Sequence, residues 1–160
     1  MPQSQEGKRV PNVTFRTRVG NEWRNVTTDE IFKGKTVVVF SLPGAFTPTC
    51  SSTHVPGYNE LAPAFKANGV DRIVCISVND AFVMSAWNKS DGSEDITMLA
   101  DGNGDFSEAI GLTMDASKFG MGKRSQRYSM VVNDGVVEQL NVEAPGEYRA
   151  SSAETLLEQL

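Results

Sequence analysis

A layered α/β fold built on a mixed β-sheet is predicted by three observations. Two continuous apolar runs, Lys35 to Leu42 and Asp71 to Val78, have the character of strands buried on both faces. A helical stretch separates them, which makes a βαβ unit that should be parallel and right-handed. Asp134-Gly135, set between the strand-like segments Arg127 to Asn133 and Val136 to Val142, is a strong hairpin signal that adds antiparallel strands to the same sheet.

The elements follow in order. Residues 1–8 are expected to form a loose N-terminus, and the whole chain, 1–160, to form one domain. Val13 to Val19 alternates, Gly20-Asn21 signals a turn, and Glu22 to Val26 returns as the second arm of an N-terminal hairpin. Thr27 and Glu30 are spaced as a capping box for a short helix that Gly34 ends. After Lys35 to Leu42 and a loop, a helix is expected in two parts. Pro56-Gly57 should interrupt it, Pro63 should bend it and Gly69 should stop it. Asp80 to Asn88 reads as helix and Ile96 to Leu99 as a short strand, followed by the turn-rich Asp101 to Asp105. Beyond the closing hairpin, Ser151 and Glu154 suggest a second capping box. Leu156, Leu157 and Leu160 would then share one helical face. This is the element order of a thioredoxin-like fold, a central mixed sheet flanked by helices.

Composition narrows the function. A domain of 160 residues buries roughly 68–70% of its unfolded surface, enough for a core without disulfides or metal. The net charge of −5 disfavours nucleic acid or anionic membrane as a partner. No apolar run approaches the ~20 residues that span a bilayer, and the first residues are polar, unlike a secretory signal. Two cysteines and one histidine make neither a disulfide framework nor a zinc site. A reducing compartment, the cytoplasm, is expected.

Cys50 is the leading candidate for chemistry. It lies at the start of a helix, just past the end of a buried strand, where backbone N–H groups converge and favour thiolate over thiol. Pro48 suits the first helical position and makes Thr47 a natural N-cap, with its hydroxyl on the same face as the sulfur. Pro43 ends the strand and can shield the pocket from water. Arg127, at the start of a later strand in the same sheet, can bring a guanidinium to that pocket, with Arg124 as a rival or supporting cation. His54, four residues after Cys50, invites a Cys–His pair. A disulfide reductase needs two thiols three apart, and Thr47 stands where the first would be. A hydroxyl and an arginine fork aimed at one small pocket instead suit stabilisation of charge on oxygen.

The run Pro43-Gly44-Ala45-Phe46-Thr47-Pro48-Thr49-Cys50-Ser51, with Thr53-His54-Val55-Pro56-Gly57-Tyr58 after it, resembles the active-site signature of peroxiredoxins. Val78 to Val83, Ala100 to Gly104 and Arg127 to Val132 are similar to the type II group, which includes the type V atypical members. The resemblance covers about residues 8 to 160. It implies a thiol peroxidase acting on hydrogen peroxide and organic hydroperoxides, with Cys50 as the peroxidatic cysteine and no cofactor. Thr47 and Arg127 would bind the peroxide oxygens, while Pro43, Gly44 and Phe46 would line the substrate site. It makes His54 a pocket or structural residue, and an apolar patch of Phe46 and Phe82 the basis of a homodimer.

The chain departs from many relatives in having no second cysteine in Ala144 to Ser152; the other thiol is Cys75, in a predicted buried strand. A one-cysteine cycle is therefore expected, resolved by an external thiol, glutathione with glutaredoxin, or thioredoxin. Some bacterial relatives carry a glutaredoxin domain after this one; no Cys-Pro-Tyr-Cys occurs here.

Overall fold

The computed structural model describes residues 6–19, 21–91, 95–144 and 147–160. Its centre is a five-stranded sheet in the order β5 (Ile96–Ala100), β4 (Arg72–Ser77), β3 (Thr36–Leu42), β8 (Tyr128–Asn133), β9 (Val136–Val142). Strands β3, β4 and β5 are parallel, and β8 and β9 complete it antiparallel. The sheet is mixed as expected, because the βαβ crossovers force parallel pairing and the Asp134-Gly135 hairpin forces antiparallel pairing. Both turn residues have positive φ, 48° at Asp134 and 79° at Gly135, as a two-residue hairpin with primed turn geometry requires.

Strand β3 is central and buried on both faces. Val38, Phe40 and Leu42 enter one core with Cys50, Tyr58, Phe65, Cys75 and Trp87. Val37 and Val39 enter the other with Ile76, Tyr128 and Met130. Helices α2 (Val55–Ala67), α3 (Ala81–Asp91) and α5 (Ala153–Glu158) contribute to the first core. Helices α1 (Thr28–Phe32) and α4 (Asp105–Ala109), together with the N-terminal hairpin, contribute to the second. That hairpin pairs β1 (Thr14–Val19) with β2 (Glu22–Thr27) and packs against α3 and β5; Gly20, in its expected turn, lies outside the described residues. The Thr27 cap is present, its hydroxyl accepting from the Glu30 N–H. No helix among the described residues is long and apolar enough to cross a membrane.

Three expectations need correction. Helix α2 runs through Pro56-Gly57 without a break; the irregularity lies one turn earlier, where Cys50–His54 is π-helical and the Val55 N–H bonds to the Cys50 carbonyl. Proline lacks an N–H and is tolerated in a helix's first turn, so the wide turn before Pro56 takes up the misfit. The terminal cap is Ser152, accepting from the Thr155 N–H, because the Ser151 hydroxyl is committed to the Glu143 carboxylate. Leu156 is buried and Leu157 packs against the core, but Leu160 lies beyond α5 and is exposed. Of residues 1–8, expected to be loose, 1–5 lie outside the described residues, and Gly7 and Lys8 bond to Val137 in β9. Residues 105–125 also hold α4 and a short ribbon of β6 (Thr113–Asp115) and β7 (Lys123–Ser125), elements too short to show a period.

Candidate active site

The first core converges on Cys50. The helical backbone begins at Pro48, so Cys50 sits in the first turn, beyond the end of β3. Its side chain is fully buried. Arg127 lies one residue before β8, next to β3 in the sheet, and its carbonyl accepts from the Glu143 N–H. Its guanidinium divides its donors: Nη2 lies 3.1 Å from Cys50 Sγ and Nη1 lies 2.7 Å from His54 Nδ1. Residues far apart in sequence are thus joined by adjacent strands and by the helix crossing over them.

His54 is buried against Phe40, Tyr58 and Tyr148. An arginine has only donors, so Nδ1 must accept and the proton must sit on Nε2, which donates to the Ser151 carbonyl at 3.2 Å. Burial and the neighbouring Arg127 cation push His54 down to about 3, although the bond to Ser151 opposes them. The imidazole is therefore neutral at ordinary pH. The Cys–His pair suggested by the spacing is not formed; the guanidinium stands between sulfur and ring. Tyr58 also donates to the Ser151 carbonyl, at 2.9 Å, and the Tyr148 ring lies 5.7 Å from the guanidinium carbon. Tyr148 is itself held up to about 12, mainly by burial and then by Glu154.

The loop before Cys50 is held by several groups. Thr47 precedes Pro48, and its hydroxyl donates to the Gly44 carbonyl at 2.7 Å, closing the 44–47 turn. Phe46 adopts φ 62°, a left-handed conformation that costs a non-glycine residue on the order of 1–3 kcal/mol and needs outside support. That support comes from Asn79, whose side-chain oxygen accepts from the Ala45 N–H and from the Ser77 hydroxyl. It comes also from Arg124, which donates to the Pro43 and Met121 carbonyls. Arg124 is thus a brace for the loop, and Arg127 is the cation at the sulfur. Pro43 is half-buried, Gly44 is buried beneath Arg124, and Phe46 is exposed on the surface near Trp87.

Gly44 has no room for a side chain. A Cβ there would lie 2.8 Å from Arg124 Nη1 and 3.3 Å from Thr47 Cγ2. Gly44→Ala is expected to displace Arg124 and tilt the loop. Reactivity of Cys50 should fall about tenfold, the scale set by small misplacements of reacting groups. Stability should fall by only about 1 kcal/mol, because the atom met is the end of a flexible side chain. Oxidation rates and thermal melts of the two proteins check this.

Cys75 is buried in β4, and burial with the nearby Cys50 pushes its thiol well up, so it is a poor source of thiolate. Sequence reasoning missed Asn79, Glu143, Tyr148 and Ser151. The first three act through contacts distant in sequence, and Ser151 acts through its backbone carbonyl, which no side-chain motif signals.

Fold and site together define a thioredoxin-like protein with one arginine-bonded cysteine where a disulfide reductase carries two. The Redoxin family model matches residues 5–157. Hybrid peroxiredoxin hyPrx5 of Haemophilus influenzae is 57% identical over 160 residues, covering 98% of this chain; the chain spans 66% of that protein's length. The crystal structure of reduced Prx3 in complex with hydrogen peroxide from Vibrio vulnificus matches with TM-score 0.93 and 50% identity, over 98% of this chain and 96% of that one. The Plasmodium falciparum antioxidant protein, described as a 1-Cys peroxiredoxin, matches with TM-score 0.92 and 33% identity over 98% of both chains. The chain belongs to the peroxiredoxin family, whose members are thiol peroxidases.

Proposed function

We propose that this chain reduces hydrogen peroxide and organic hydroperoxides at Cys50, in a one-cysteine cycle completed by an external thiol. The observation that carries the reading is the 3.1 Å contact between Arg127 Nη2 and Cys50 Sγ at a helix start. The thiolate is the nucleophilic form of a cysteine, and a guanidinium donor at this distance is placed to hold the reacting sulfur and the oxygen it attacks. The thiolate attacks the nearer peroxide oxygen and forms an S–O bond as the O–O bond breaks. The sulfur is oxidised by two electrons to sulfenic acid, and the far oxygen leaves as hydroxide or alkoxide and takes up a proton. Arg127 donates to the peroxide oxygens and bears the charge that develops on the leaving one, and the Thr47 hydroxyl, which gives its proton to the Gly44 carbonyl, accepts from the peroxide O–H. Pro43, Gly44 and Phe46, in the loop before Cys50, are assigned to the substrate side of the sulfur.

Recycling is assigned to glutathione with glutaredoxin, thioredoxin being the other donor class. A thiolate attacks the sulfenic sulfur and expels water, and a second thiol displaces Cys50 from the mixed disulfide. Two features support this: Cys75 is buried in the central sheet, and the related Plasmodium protein is described as 1-Cys. The Vibrio complex supports hydrogen peroxide as one substrate. A cytoplasmic setting suits two free thiols. A homodimer suits the exposed aromatic side chains Phe46, 52% exposed, and Phe82, 59% exposed with Trp23 edge-on to it.

Intact-mass and peptide analysis after one equivalent of peroxide tests the cycle. One added oxygen on Cys50, replaced by a glutathione adduct when glutathione follows, is the expected result. A Cys50–Cys75 disulfide, or an unmodified Cys50, would overturn it.

A further inference from the structure

Glu143 is a buried carboxylate at the end of β9, 6% exposed. It accepts four hydrogen bonds from one short segment: the N–H groups of Arg149 at 2.7 Å, Ala150 at 3.1 Å and Ser151 at 2.8 Å, and the Ser151 hydroxyl at 2.7 Å. Successive backbone N–H groups turned inward form an anion-binding nest, and the anion here belongs to the chain itself. Although burial alone would raise it, these donors hold the carboxyl below its usual range.

The segment gripped in this way presents the Ser151 carbonyl to His54 Nε2 and to the Tyr58 hydroxyl. At its other end Glu143 grips Arg127 directly, its N–H donating to the Arg127 carbonyl at 2.9 Å. The contacts form a closed ring that starts and finishes on Arg127. It runs from the Arg127 carbonyl to the Glu143 N–H, through the Glu143 carboxylate to Ser151, through the Ser151 carbonyl to His54, and from His54 Nδ1 back to Arg127 Nη1. Outside the ring, Nη2 meets the sulfur.

We propose that Glu143 is a positioning residue for the reaction at Cys50: by fixing the Ser151 carbonyl it selects the Nε2–H tautomer of His54, and that tautomer fixes the guanidinium fork against the sulfur. This rests on Cys50 being the reacting sulfur, as proposed above. The tautomer step is the key one. If Nδ1 carried the proton, two donors would face each other at 2.7 Å and Arg127 would have to turn away. Among the described residues the Ser151 carbonyl is the partner of Nε2, and Phe40, Tyr58 and Tyr148 meet His54 through their rings.

The chain has a single histidine, so a nitrogen NMR spectrum of histidine-labelled protein reads this tautomer without ambiguity. Wild-type protein is expected to show one Nε2–H form. In Glu143→Gln the amide places a donor among the N–H groups of the nest, and the segment must shift. A mixture of tautomers is expected, with Cys50 oxidation by hydrogen peroxide slower by about ten- to a hundredfold. Ser151→Ala removes only the hydroxyl bond and serves as the milder second variant, with the same changes in smaller measure. A folded Glu143→Gln protein that keeps the single tautomer and the wild-type oxidation rate would overturn the proposal. If that variant does not fold, an unchanged tautomer and rate in Ser151→Ala would do so. The imidazole signal needs no peroxide, so it tests the network separately from the reaction.

Discussion

Arg127→Lys is expected to lower kcat/KM for peroxide by about 10²–10³, the cost of losing one preorganised donor at a developing oxyanion. The charge is kept in this substitution, so the loss isolates geometry. Arg127 uses two guanidinium nitrogens at once, one on Sγ and one on His54 Nδ1. A lysine ammonium is a single point on a flexible stem and cannot span both partners. If it reaches His54 it leaves the sulfur and the peroxide oxygens without their donor. If it reaches the sulfur, a buried imidazole nitrogen loses its partner. The ring of Tyr148 also loses the planar group it lies against. The fall should appear mainly in kcat/KM measured by single-turnover oxidation, with Cys50→Ser as the floor. Near-wild-type reactivity in the lysine variant would mean that charge alone matters at this position, and the reading of the fork would have to be abandoned.

Much of this arrangement was legible in the sequence, for physical reasons that differ by element. Strands β3 and β4 could be read because a strand buried on both faces must be apolar throughout, and the closing hairpin because Asp134-Gly135 suits two positive φ angles. That Cys50 and Arg127 would meet could be read because a helix start past one buried strand and the head of a neighbouring strand in the same sheet lie at one end of it. The kinked start of the helix was placed one turn too late. Pro56 marks where a helix cannot make its usual bond, but the turn that pays for it lies among residues with no special character. Tyr148, Glu143 and Ser151 could not be found from spacing. They reach the site from a segment some hundred positions away from His54, and Ser151 takes part through a carbonyl that every residue possesses. Asn79 lay in a stretch noted only for its resemblance, and its task is to hold a strained turn, which shows only once Phe46 is seen at positive φ.

Acid should unfold this protein partly through His54, and His54→Gln should remove that part. The folded imidazole is held down to about 3, whereas in the unfolded chain it titrates near its ordinary value of 6.5. Between those values the unfolded state binds a proton that the folded state refuses, so stability falls as pH drops from 6.5 toward 3 and is fully present above 6.5. Over the whole window the difference is worth about 5 kcal/mol, and between pH 7.5 and 4.5 about 3 kcal/mol. That is a large share of the roughly 5–15 kcal/mol that holds a domain of this kind together. Glu143, held low, works in the same direction but remains in the glutamine variant. Glutamine offers a donor for the Ser151 carbonyl and an acceptor for Arg127, and it does not titrate. Its own cost is therefore the same at both pH values and cancels in the comparison. Urea unfolding at pH 7.5 and 4.5 should show the wild-type protein losing about 3 kcal/mol more than His54→Gln. Equal losses in the two proteins would mean that the folded state accepts a proton on the ring at moderate pH, and the neutral imidazole that braces Arg127 would have to be given up.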